Sequence, residues 1–124
     1  MTHPLRISGS AISGLLAAAL FGAALVAPLP AAADEMKTFD MELKDGVITP
    51  QKLEVEAGTT FKIIVRNTGT TAAEFESLRL RKEKVVGPGV TSFVVIRRLS
   101  PGTYKFYDEF HMDMESANGV IIAK

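Results

Sequence analysis

The stretch with the densest chemistry runs Asp108-Glu109-Phe110-His111-Met112-Asp113-Met114. Carboxylates, an imidazole and two thioethers fall within these seven residues. Carboxylate oxygens suit hard ions such as Fe(III) and Mn(II), imidazole suits copper, zinc, iron and nickel, and thioether suits Cu(I). His111 and Met114 stand three apart, so a compact loop can aim both at one centre. A second candidate is Glu74-Phe75-Glu76. On an extended strand the two glutamates share one face and Phe75 takes the other. Two like charges on one face repel, and a bound cation relieves that. Each feature also has an ordinary reading: a hydrogen-bonded surface histidine, methionines packed over the end of a fold, a solvated strand face.

Several other chemistries are absent. The 124 residues contain no cysteine, which removes disulfide scaffolds, zinc–thiolate sites, iron–sulfur clusters and lipid-anchored lipoproteins. A blue-copper site in its standard form also needs a thiolate. There is no Gly-x-Ser-x-Gly and no phosphate-binding glycine loop, so no catalytic residue and no small organic cofactor are assigned. The 14 basic and 14 acidic residues balance, giving no reason to expect nucleic acid as a partner.

The elements that must position these groups read as strands. Phe39, Met41 and Leu43 alternate with Asp40, Glu42 and Lys44, and Asp45-Gly46 then supplies a turn. Val47-Ile48 with Leu53 and Val55 form an extended segment interrupted at Pro50. Phe61, Ile63 and Val65 alternate with polar residues, and Asn67-Thr68-Gly69 follows as a turn. Later strands are expected where Leu78 and Leu80 sit between charges and lead on to Val85-Val86, and at Phe93–Ile96, Tyr104–Phe110 and Gly119–Ala123. Leu99-Ser100-Pro101-Gly102 is a further turn. Met112–Asn118 reads as a loop or one helical turn. About seven strands at this spacing predict an all-β Greek-key β-sandwich. Tyr104 is expected in its core, with the hydroxyl bonded to nearby backbone.

The start of the chain is different. The first 33 residues carry one cation, Arg6, and no acid. The apolar run Ile12–Val26 is 15 residues long, short of the roughly 20 that a spanning helix needs. Pro28, Pro30 and Ala31-Ala32-Ala33 follow. This is the layout of a cleavable signal peptide over residues 1–33, with an exported domain at 34–124. That domain keeps 13 basic residues against 14 acidic ones, and its one histidine is His111.

Two resemblances bear on function. The pattern Leu99-x-Pro101-Gly102-x-Tyr104-x-Phe106-Tyr107 resembles the penultimate strand of small cupredoxins. Asp108 then stands where their copper-binding cysteine would be, His111 matches the histidine and Met114 the axial methionine. Asn67-Thr-Gly-x-x-x-x-Glu74-Phe75 resembles the segment that carries their other histidine, with Glu74 in its place. The longer string Ala73-Glu74-Phe75-Glu76-Ser77 through Pro88-Gly89, together with Asp108-Glu109-Phe110-His111, is similar to a bacterial cupredoxin-like family of free periplasmic proteins (FtrB-like) and of EfeO-type leading domains.

This resemblance implies a periplasmic protein that binds copper, iron or both in high-affinity iron transport. Its partners would be an inner-membrane iron permease and a companion periplasmic iron-binding protein. The implied leading ligands are Glu74, Asp108, His111 and Met114, with Glu76, Glu109, Met112 and Asp113 available to a neighbouring iron site. Metal binding and transfer is the leading expectation, and a role as ferroxidase component is its enzymatic version. The alternative is a metal-free β-sandwich interaction module, since Asp108 for cysteine is what a domain that has lost its metal would show. The basic run Arg79–Lys84 suits an acidic partner, an anionic membrane or, more simply, an edge strand guarded by charge.

Overall fold

The computed structural model describes residues 2–4, 9, 14, 17–27 and 36–124. The chain divides into Met1–Ala32 and Ala33–Lys124. In the first unit no helix among the described residues is long and apolar enough to cross a membrane. The expected cleavage after Ala33 lies outside the described residues.

The second unit is a sandwich of nine strands: β1 (Lys37–Lys44), β2 (Val47–Thr49), β3 (Lys52–Val55), β4 (Phe61–Asn67), β5 (Ala73–Ser77), β6 (Lys82–Val86), β7 (Thr91–Ile96), β8 (Gly102–Asp108) and β9 (Asn118–Ala123). One sheet runs β2-β1-β4-β7 and the other β3-β9-β8-β5-β6. The pairs β1·β4 and β3·β9 are parallel. The architecture is the expected all-β sandwich, with two strands more than the spacing suggested. One reason is local: the extended segment over 47–55 divides at a cis Thr49–Pro50 bond, and its halves join different sheets.

Period-2 alternation decides which side chains face inward. Met41 and Leu43 of β1, and Phe61, Ile63 and Val65 of β4, are buried, while Glu42, Lys44 and Arg66 are exposed. Phe75 stacks on Phe106 with ring centroids 5.6 Å apart. Among the described residues every core residue lies between Met41 and Ala123. Tyr104 is buried, and its hydroxyl donates to the Ser100 carbonyl at 2.8 Å. Asn67, also buried, ties the turn after β4. Its amide donates to the Thr71 and Val86 carbonyls at 2.8 Å each, and its oxygen accepts from the Gly69 N–H.

Two placements differ from the sequence pattern. Phe110 does not continue β8: it is half exposed in a single 3-10 turn, Glu109–His111. The cause is the Asp108 side chain, which caps that turn by accepting from the Phe110 N–H and so turns the chain out of the sheet. A second 3-10 turn, Glu115–Ala117, leads directly into β9. The basic run also divides. Lys82, Glu83 and Lys84 lie on β6, an edge strand, where charge discourages further pairing, whereas Arg79 and Arg81 belong to the preceding turn.

Candidate metal centre

The candidate residues gather at the end of the sandwich where β8 gives way to its 3-10 turn. Asp108 is the anchor, 1% exposed. Register pairs it with Phe75, so the two side chains share the inner face. Its Oδ1 accepts from the Glu74 N–H at 2.9 Å and the Phe110 N–H at 3.1 Å. Its Oδ2 lies 2.7 Å from His111 Nδ1. An ionised carboxylate only accepts, so it holds the imidazole proton on Nδ1 and leaves the Nε2 lone pair as the coordinating atom.

Nε2 faces Thr71, whose Oγ1 is 3.1 Å away. Thr71 is placed in turn by Asp45 at the tip of the β1–β2 hairpin. Asp45 Oδ1 accepts from the Thr70 and Thr71 N–H groups at 2.8 and 2.9 Å, and Thr71 Oγ1 lies 2.9 Å from it. These bonds, the Thr70 N–H foremost and the Thr71 hydroxyl next, hold the Asp45 carboxyl below the usual range. Gly46, at φ +86°, lets the same hairpin tip pass beneath the site: a Cβ there would run into Met114 Sδ and come 3.3 Å from His111 Cβ. Met114 Sδ and His111 Cβ therefore both border the one glycine. Asn118 pins the loop by donating to the Met112 and Met114 carbonyls.

The glutamates form a separate group. Glu74 and Glu76 take the outer face of β5, opposite Phe75, and Glu109 swings over them from the 3-10 turn. Each of the three offers a carboxylate oxygen, and these oxygens lie within 4.8 Å of one another. Glu74 is 8% exposed, and Glu76 Oε2 is buried with no hydrogen-bond partner. Burial first, then the charge of Glu109, pushes the Glu74 carboxyl up. Glu76 is pushed up to about 7, chiefly by its side-chain proximity to the Glu109 carboxyl and then by burial. Tyr107 lies opposite Glu76 in the β5–β8 register, and its phenol is pushed up by burial and by these carboxylates. Three crowded carboxyl groups, one oxygen of them orphaned, fit a hard cation, whose charge would relieve both strains.

The eight expected ligands thus fall into three places. Asp108, His111 and Met114 assemble on one side, with both Asp108 oxygens already engaged. Glu74, Glu76 and Glu109 assemble on the other, and Glu74 reaches Asp108 only through its backbone N–H. Met112 is exposed and lines a cavity of about 900 Å³ along the outer face of β8 and β9, with Leu78, Tyr107 and Glu115. Asp113 is exposed on the same loop. Sequence reasoning passed over Thr71, Asp45 and Gly46. Asp45-Gly46 reads as an ordinary turn, and no local pattern links it, or Thr71, to a histidine 40 residues beyond that threonine.

Residues 15–123 match the cupredoxin-like domain family. An uncharacterized protein of Rickettsia prowazekii is 34% identical over 89 residues, covering 72% of this chain and 70% of that protein. Among solved structures, a blue copper oxidase of Nitrosomonas europaea superposes with a TM-score of 0.60 at 16% identity, over 73% of this chain. The chain spans only 39% of that oxidase's length. Dithionite-reduced auracyanin from Roseiflexus castenholzii superposes with a TM-score of 0.59 at 17% identity, over 71% of this chain and 97% of auracyanin. At such identities the two structures bear on the fold alone.

Proposed function

This chain belongs to the cupredoxin-like domain family, and from that premise we propose that it is a periplasmic metal-binding protein of high-affinity iron transport. It takes copper at His111 and Met114 and holds iron at Glu74, Glu76 and Glu109. It hands iron to an inner-membrane permease together with a companion periplasmic iron-binding protein. The observation that carries the reading is the buried, unpartnered Glu76 Oε2 inside a triad of carboxylates. A folded protein tolerates such a group where a ligand completes it.

The two donor sets suit different ions. His111 Nε2 with a thioether suits copper in both common oxidation states, and an all-carboxylate set suits iron. Bound copper would supply a one-electron acceptor. The chain's own residues do the rest. Asp108 fixes the imidazole tautomer and ring plane, and Asp45 and Thr71 hold the approach to Nε2. Glu76 gives up its proton when a cation binds. With no thiolate, the intense absorption and fast electron transfer of blue copper are not expected, so the reading is binding and transfer.

One observation favours the metal-free interaction module instead: both Asp108 oxygens and His111 Nδ1 already have partners, and Thr71 Oγ1 closes on Nε2 at 3.1 Å. Calorimetric titration of the apo protein separates the two. Cu(II) binding near one equivalent that collapses in His111→Ala, with Mn(II) or anaerobic Fe(II) binding that collapses in Glu76→Gln, is the expected result. No binding of any of these ions at micromolar protein would overturn the metal reading.

A further inference from the structure

The opposite end of the sandwich carries an unbalanced positive charge. Arg79, Arg81 and Lys82 come from the β5–β6 turn and the start of β6, and Arg97 and Arg98 follow the end of β7. Sequence alone separates these groups by some 15 residues, and the fold brings them together. Arg79, Lys82, Arg97 and Arg98 line one hollow of about 400 Å³ with Ser100 and the Tyr104 ring, and among the described residues no carboxylate lines it. None of the five cations is in an ion pair among the described residues. Arg79 is pre-positioned: it donates to the Thr103 carbonyl at 2.6 Å and lies 4.2 Å from the centroid of the Tyr104 ring. Tyr104 is in turn fixed by its bond to Ser100. Arg98 also borders a second hollow that contains Glu56, but the hollow shared by the four cations, in a domain that is close to neutral overall, is built to meet an anion.

We propose that this end docks on a membrane surface rich in anionic phospholipid, with lipid phosphates entering the Arg79–Arg98 hollow. The hollow is open, and Arg81 lies outside it, so a charged layer engages all five cations where a single small anion would reach only some. The charge distribution also sets orientation. β8 runs seven residues from Gly102 at the basic end to Asp108 at the candidate centre, roughly 20 Å at about 3.3 Å per residue. An anionic layer attracts the first end and repels the carboxylates of the second, so the docked protein presents the centre away from the lipid.

The test uses residues 33–124, the unit that contains every core residue among the described residues. Its co-sedimentation is measured with vesicles of phosphatidylcholine, alone and with phosphatidylglycerol added. Binding is expected only to the anionic vesicles, falling about tenfold or more between roughly 0.05 and 0.5 M salt as the Debye length contracts. The variant Arg97→Glu/Arg98→Glu should lose that binding while keeping its circular-dichroism spectrum and Tm. Lys44→Glu/Lys52→Glu, the same charge change away from the hollow, should keep most of it. Equal binding by the two variants, or none by the wild type, would overturn the proposal. Chemical-shift changes at Arg79 and Arg98 with soluble pyrophosphate, without vesicle binding, would also overturn it and mark a small-anion site instead.

Discussion

Asp108→Asn tests whether this residue positions His111 or coordinates metal itself. The wild-type carboxylate is buried and holds three donors: the Glu74 and Phe110 N–H groups and His111 Nδ1, at 2.9, 3.1 and 2.7 Å. Hydrogen bonds to a charged group contribute about 1.5–3 kcal/mol and neutral ones about 0.5–1.5. Asparagine keeps shape and size but loses the charge on all three. Burying a neutral amide returns part of the difference. The net loss is about 2 kcal/mol, a fall in Tm of roughly 8–16 °C for a domain of this size. If the amide oxygen keeps the two backbone donors, its NH₂ faces Nδ1 and forces the proton to Nε2, the atom assigned to copper. Loss of such an orienting partner weakens metal binding about 10- to 100-fold. Thermal denaturation, copper calorimetry and ¹⁵N spectra of the imidazole read all three effects. The spectra should show Nδ1–H in the wild type and Nε2–H in the variant. An unchanged Tm with complete loss of copper would make Asp108 a ligand. An unchanged Tm, tautomer and affinity would refute the reasoning outright.

Two further expectations rest on the same end of the fold. Glu76 is pushed up to about 7 from an ordinary 4.5, so the native state retains a proton that the unfolded chain has already released. Stability from this group therefore falls as pH rises across that interval, and Glu76→Gln should match the wild type near pH 5 but melt higher near pH 8; parallel Tm curves would contradict the raised Glu76 carboxyl. Gly46→Ala places a methyl against Met114 Sδ at a positive φ. It should cost about 1–3 kcal/mol and shift the Met114 methyl resonance, and a variant with unchanged Tm and unchanged resonance would show that the hairpin tip does not support the site.

Much of this protein is visible without coordinates because strand formation and burial follow local patterns. The alternation of Phe61, Ile63 and Val65 with polar neighbours settles both that β4 is a strand and which face it buries, since side chains on a strand alternate. The same rule sets Phe75 against Glu74 and Glu76. The strings Glu74-Phe75-Glu76 and Asp108-Glu109-Phe110-His111 mark where chemistry gathers for a related reason: such groups are costly to bury and collect at the ends of a packed sandwich.

What local pattern cannot supply is convergence. Glu109 meets Glu74 and Glu76, and Asp108 meets Phe75, because β5 and β8 pair in one register, and a slip of one residue would exchange the faces. The cap that turns the chain at Asp108 sends Glu109 outward and His111 toward Thr71. Asp45, Gly46 and Thr71 join the site only because the β1–β2 hairpin tip packs beneath the loop before β9. Arg97 and Arg98 join Arg79 and Lys82 only because the edge strands β6 and β7 of the two sheets lie against each other, so that β7 ends where β6 begins. In each case the partners are far apart in the chain, and it is strand pairing and the closing of the two sheets over one core that bring them within reach.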